Sequence, residues 1–112
     1  GSDVAGGHTE SLFRAITDTI QMSKMYWRLI DQNCKQLTFD EAFYLATKGG
    51  GEFFGKVGSF EDGYQFNAVV LDDSIIPHPQ ELNIHQRLER AAYLSLDLLG
   101  ITSKYAHGKK LF

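Results

Sequence analysis

Gly58-Ser59-Phe60-Glu61-Asp62-Gly63 and the run behind it, Phe66-Asn67-Ala68-Val69-Val70-Leu71, mark the point where the hydrophobic period of the chain changes. The first stretch is turn chemistry, with glycine at both ends and Ser and Asp between them. The second is aromatic and β-branched and predicts a mostly buried strand. Upstream, the pattern is helical. Leu12, Ile16 and Ile20 recur every four residues, and Met22, Met25, Tyr26, Leu29 and Ile30 continue the stripe, so one long helix is expected from Ser11 to about Gln32. Thr9 or Ser11 is available to cap it. A second helix is expected from Thr38, because Thr38-Phe39-Asp40-Glu41 places a capping hydroxyl three residues before a carboxylate that reaches back. Ala42, Phe43, Leu45 and Ala46 supply its inner face, and Gly49-Gly50-Gly51 is expected to stop it before a short turn through Glu52, Phe53 and Phe54.

Downstream, Asp72-Asp73-Ser74 ends the strand and the segment from Ile75 to Leu82, with Pro77 and Pro79, reads as loop. Asn83 caps a third helix to about Ser95, with Ile84, Leu88, Ala91, Ala92 and Leu94 expected to face inward. Ile101 to Ala106, a turn at His107-Gly108 and a return through Lys109 to Phe112 read as a hairpin. As a chain by itself this is an α+β arrangement.

Its 112 residues suffice for one small domain. A net charge of −3 offers no basic stripe to displace counterions from phosphate, and Lys109-Lys110 is too short to make one, so no nucleic-acid partner is expected. No apolar run reaches the length of a membrane span and no secretory leader is present, so no membrane partner is expected either. The single cysteine, Cys34, forms no internal disulfide and fits a reducing cytoplasm. Gly1-Ser2 reads equally as native sequence or as an expression scar.

The chemistry written locally is sparse. Asp3 stands before Val4-Ala5-Gly6-Gly7 and a helix, a carboxylate beside backbone that tolerates tight turns and close approach. His8, His78, His85 and His107 form no His-x-His, His-Glu-x-x-His or related pattern, and Asp3 with His8 amounts to at most two ligands where zinc wants three or four. His78 and His85 read as surface residues, and His107 as the start of a turn. Cys34 has no Cys-x-x-Cys partner, which excludes the ligand set of cytidine-type deaminases. The triple glycine lacks the Gly-Lys-Ser/Thr of a phosphate loop.

Four motifs in order carry a resemblance. Ser2-Asp3-Val4-Ala5-Gly6-Gly7, the helix start Ser11-Leu12-Phe13-Arg14-Ala15-Ile16, Leu45-Ala46-Thr47-Lys48-Gly49-Gly50, and Gly58-Ser59-Phe60-Glu61-Asp62-Gly63 before Asn67-Ala68-Val69-Val70-Leu71-Asp72 resemble the carboxyl-terminal portion of the amidohydrolase superfamily, and in detail its guanine deaminase family. The resemblance covers essentially the whole chain. It implies the α/β fold of a (β/α)8 barrel with a small β-sandwich. Residues 1–56 would be the end of the barrel, with the metal-site loop and final helices. Residues 57–112 would be the carboxyl-terminal part of the sandwich, with one helix and a terminal hairpin.

The resemblance further implies a Zn2+ cofactor whose other ligands lie outside this chain. Asp3 would be both a metal ligand and the catalytic carboxylate that takes a proton from the attacking water, as guanine is converted to xanthine and ammonia. The implied partners are guanine, the remainder of the enzyme chain and a second copy in a homodimer. The segment is expected to be inactive alone, with an exposed apolar stripe that promotes self-association. The same segment of an amidohydrolase acting on another heterocycle, or a non-catalytic interaction module, are the alternatives. Two departures from the family pattern are visible. Ser95-Leu96-Asp97-Leu98-Leu99-Gly100-Ile101 replaces a more polar stretch, and Asn67 stands where Asp is common, a change expected to touch a strand-edge contact rather than chemistry.

Overall fold

The computed structural model describes residues 2–112, so Gly1, and with it the origin of Gly1-Ser2, lies outside the described residues. The architecture is α+β, with helices first and a three-stranded antiparallel sheet ordered β1-β2-β3. Helix α1 spans Leu12–Leu29, and Ser11 is its cap: the hydroxyl accepts the Arg14 N–H at 3.0 Å. Thr9 instead accepts the N–H of Ser11 at 3.1 Å. Helix α2, Phe39–Ala46, opens with the expected capping box, in which Thr38 and Glu41 satisfy each other's backbone N–H groups.

The Glu41 carboxylate carries a measurable consequence. It also accepts from Lys35 Nζ at 2.6 Å, and that contact first, then the Thr38 donors, pulls its pKa down to about 2. A depressed carboxylate contributes stability that is complete above its unfolded value near 4.5 and is lost as pH falls towards about 2. A proton titration followed at the Glu41 side chain should show this low midpoint. Glu41→Gln should flatten the dependence of the urea midpoint on pH across the same window, and an unchanged acid limb would rule the account out.

The triple glycine does not stop α2. The break falls at Thr47, whose hydroxyl turns back to the Phe43 carbonyl at 2.7 Å, and the glycines then form their own short helix α3, Lys48–Gly51. Close approach explains their presence: a Cβ on Gly49 would stand 2.7 Å from the Tyr44 ring, and one on Gly51 2.6 Å from the Val57 carbonyl oxygen. The expected turn through Glu52–Phe54 follows as a 3-10 turn.

Strand β1 is Ala68–Leu71 and is half-exposed, contrary to the buried strand expected, with Val69 and Val70 both open. Its one partner is β2, Ile101–Ala106, so nothing among the described residues covers its other edge. A bulge between Val70 and Leu71 shifts the register from Ser103 to Ile101. The hairpin to β3, Lys109–Lys110, turns at His107-Gly108 with φ of 50° and 74°, the backbone of a type I′ turn. Asn67 closes this corner, its side-chain oxygen accepting the His107 N–H at 2.9 Å. Helix α4, Ile84–Tyr93, begins at the Asn83 cap as expected, but Ile84 points outward and Leu94 is also open.

The core is small. Ile16 and Ile20 of α1 meet Phe39 and Ala42 of α2 and Ala92 of α4, with Phe13, Phe43, Ala46 and Leu88 packed around them. Beyond Ile20 the α1 stripe leaves the core, and Leu29 and Ile30 are 74 % and 72 % exposed. Other apolar groups stand equally bare, Phe53 at 88 % among them. The radius of gyration is 15.4 Å, where a compact domain of this length has about 13 Å.

Candidate functional site

Asp3 is exposed, and its backbone lies in the left-handed region at φ 50°, with Ala5 further out at 95°. Non-glycine residues occupy such angles at a cost of roughly 1–3 kcal/mol each, and do so where the surroundings over-determine them. The surroundings here are a small knot. The Gly7 N–H donates to the Asp3 carbonyl, the Ala5 N–H donates to the Gly7 carbonyl at 3.3 Å, and Val4 bridges Gly7. A side chain at Gly6 would displace the carboxylate, because its Cβ would stand 2.6 Å from Asp3 Oδ2, and one at Gly7 would meet the Asp3 carbonyl oxygen at 2.9 Å. The sequence therefore keeps glycine where the carboxylate needs room.

Two ties hold this knot to α1. His8 Nε2 meets Asp18 Oδ2 at 3.0 Å, and Asp18 is gripped in turn by Arg14 Nε at 3.0 Å. Thr9 receives the Ser11 N–H. His8 thus faces Asp18, a pairing that the spacing of the histidines did not reveal. The remaining histidines lie elsewhere: His78 Nδ1 sits 2.6 Å from the Gln80 carbonyl, His85 Nε2 pairs with Asp40 at 2.7 Å, and His107 occupies the hairpin turn. Cys34 is exposed, and its thiol donates to Asp31 at 3.1 Å, which raises the thiol pKa; the Asn33 N–H first, and then this thiol, lower that of the carboxyl.

Whether these residues fit a metal follows from the donors. Among the described residues no group of three or more His, Cys, Asp and Glu side chains converges. Asp3 alone fits, as an open carboxylate in a cradle that a Cβ would fill. The chain supplies one oxygen ligand, not a complete site.

Sequence reasoning also missed Asp97. It lies on the 3-10 turn Leu96–Leu98, and its Oδ2 accepts the Ser11 hydroxyl at 2.5 Å, across 86 residues of chain. No spacing announces the pairing: Ser11 reads as a helix cap, and Asp97 as one residue of a leucine-rich stretch. No helix among the described residues is long and apolar enough to cross a membrane.

The same run of helices and small sheet is found within a solved deaminase. That structure, a guanine deaminase from C. acetobutylicum with guanine bound in its active site, matches the whole chain with a TM-score of 0.90 and 47 % identity, over 26 % of its own length. The guanine deaminase of Dictyostelium discoideum is 31 % identical over 99 % of the chain, and the human enzyme 37 % identical over 73 %. No protein-family model matches. The chain is a homologue of guanine deaminases and spans about a quarter of the length of the Dictyostelium relative.

Proposed function

We propose that the chain works as the segment of a zinc-dependent guanine deaminase that presents Asp3 to the metal and to the attacking water. The observation that carries this is the match of its whole length to the C. acetobutylicum enzyme at 47 % identity. In this reading residues 1–56 close a (β/α)8 barrel and residues 57–112 complete a small sandwich, with the active site at the carboxyl ends of the strands. Zinc, when bound, lowers the pKa of water towards neutrality. Asp3 would help hold the metal, and its carboxylate would take the proton released as water adds to the ring carbon bearing the amino group of guanine and return it to the leaving nitrogen. Ammonia then leaves and xanthine remains. The strained backbone at Asp3 and Ala5 orients the carboxylate before substrate arrives.

The surface supports a covered role. The chain exposes 8050 Å², against about 6,200 Å² for a free-standing protein of its mass. The excess is on the scale of a specific interface. It is spread over the outer half of α1, the Phe53-Phe54 turn and the open edge of β1, which are the faces the rest of an enzyme chain would cover. A homodimer in the cytoplasm completes the reading, and the free thiol of Cys34 accords with a reducing compartment.

A graft tests it. The C. acetobutylicum enzyme with its matching quarter replaced by this chain should bind about one zinc and release ammonia from guanine. A graft that folds and binds zinc but leaves guanine untouched, while turning over another amino-heterocycle, would overturn guanine as substrate. A graft that folds without zinc would overturn the role of Asp3.

A further inference from the structure

We propose that Asp97 is a positioning residue for the Asp3 loop, acting through Ser11; its meaning for catalysis rests on the reading of Asp3 given above. Ser11 is buried, and each of its polar atoms is committed. Its N–H goes to Thr9, its Oγ accepts from Arg14, and its hydroxyl proton goes to Asp97 Oδ2. That last bond fixes the side-chain rotamer, and with it the direction in which the chain leaves α1 towards Thr9, His8 and the knot at Gly7. The left-handed backbone at Asp3 and Ala5 persists only if such anchors hold it.

The other oxygen of the same carboxylate points against a simple stabilising role. Asp97 Oδ1 is buried and has no hydrogen-bond partner among the protein groups. Asp97 is half-buried, and an enclosed carboxylate oxygen without a partner contributes nothing to stability by itself. A carboxylate in that place is explained by what it holds. The turn that carries it is itself set firmly: Leu96 is almost fully buried, Ser95 adopts φ 52°, and the Gly100 N–H returns to the Leu96 carbonyl at 2.6 Å. The acceptor is therefore presented from a rigid part of the carboxyl-terminal half to the entry of the amino-terminal loop.

Residue-resolved hydrogen exchange, on this chain and on the graft, tests the inference without relying on turnover. The Gly7 amide reports the loop, the Arg14 amide reports the helix cap, and the Leu94 amide reports the carboxyl end of α4. Asp97→Ala should speed exchange at Gly7 at least about tenfold and leave Leu94 within twofold. Ser11→Ala removes the Arg14 cap as well as the Asp97 bond, so it should quicken Arg14 in addition to Gly7, and adding Asp97→Ala to it should change Gly7 little further. Asp97→Asn, which keeps an acceptor for Ser11, should hold Gly7 near its original rate.

In an active graft, Asp97→Ala should lower kcat about 10–100-fold with little change in KM, the pattern of a displaced reacting group rather than a lost substrate contact. The proposal is overturned if Arg14 quickens while Gly7 does not, if all three amides quicken together, or if Asp97→Asn behaves like Asp97→Ala. An inactive graft in which Gly7 still responds would count against the functional reading alone.

Discussion

Replacing Asp3 by Asn in the grafted enzyme is expected to cut kcat for guanine by about 10³-fold, within the range for a positioned acid–base group. Asn keeps the shape and one oxygen but cannot take a proton, so the pH dependence of the residual activity should lose the limb that reports the carboxylate. The amide is also a weaker ligand, and zinc content should fall. Asp3→Ala should be at least as damaging. The backbone argument adds a second arm: Ala5 at φ 95° resists its angle, so Ala5→Gly should relieve strain in the fold but lower kcat, because the loop that orients Asp3 becomes freer. Activity within tenfold of the parent for Asp3→Asn would sink the assignment of Asp3 as the proton acceptor.

Phe39→Ala is expected to destabilise the chain by about 3–5 kcal/mol. That is a large part of the roughly 5–15 kcal/mol that holds a typical domain folded. Phe39 joins more than its size suggests. Its ring packs 5.7 Å from Phe43 and takes the edge of His85 at 5.7 Å and 88°, so one residue of α2 touches both its own helix and α4. It also begins α2 directly after the capping box. Urea unfolding of the variant against the parent measures the loss, and a shift of less than 1 kcal/mol would show that the small core does not carry the fold.

Much of this was legible in the sequence because its causes are local. Thr38 with Glu41, and Asn83 before Ile84, announce helix starts through side chains that reach three residues along the chain. The type I′ turn at His107-Gly108 is written in the same way. What failed to show was whatever depends on distant partners. The triple glycine was expected to end a helix on propensity, but the Tyr44 ring and the Val57 carbonyl oxygen decide its conformation. Val69 and Val70 have the composition of a buried strand and lie open, because burial requires a second layer that composition does not specify.

The site divides along the same line. Asp3 and its glycines stand together in a motif, and the resemblance to guanine deaminases points to them. The grip of Asp18 on His8 and that of Asp97 on Ser11 join residues that no period relates. Asp97 in particular sits in a stretch whose leucines draw the eye as departures from the family pattern, while its carboxylate makes the contact that matters for the loop.

The separation of 86 residues between Ser11 and Asp97 also sets an order of events in time. Closing a long loop costs entropy before any contact repays it, so such bonds form late in folding, after neighbouring helices have paired. On a ribosome the interval is longer still. Asp3 and Ser11 leave the ribosome before Asp97, and Ser11 has no acceptor until Asp97 has been synthesised. The carboxylate that would do the chemistry is thus made before the contact that sets its loop in place.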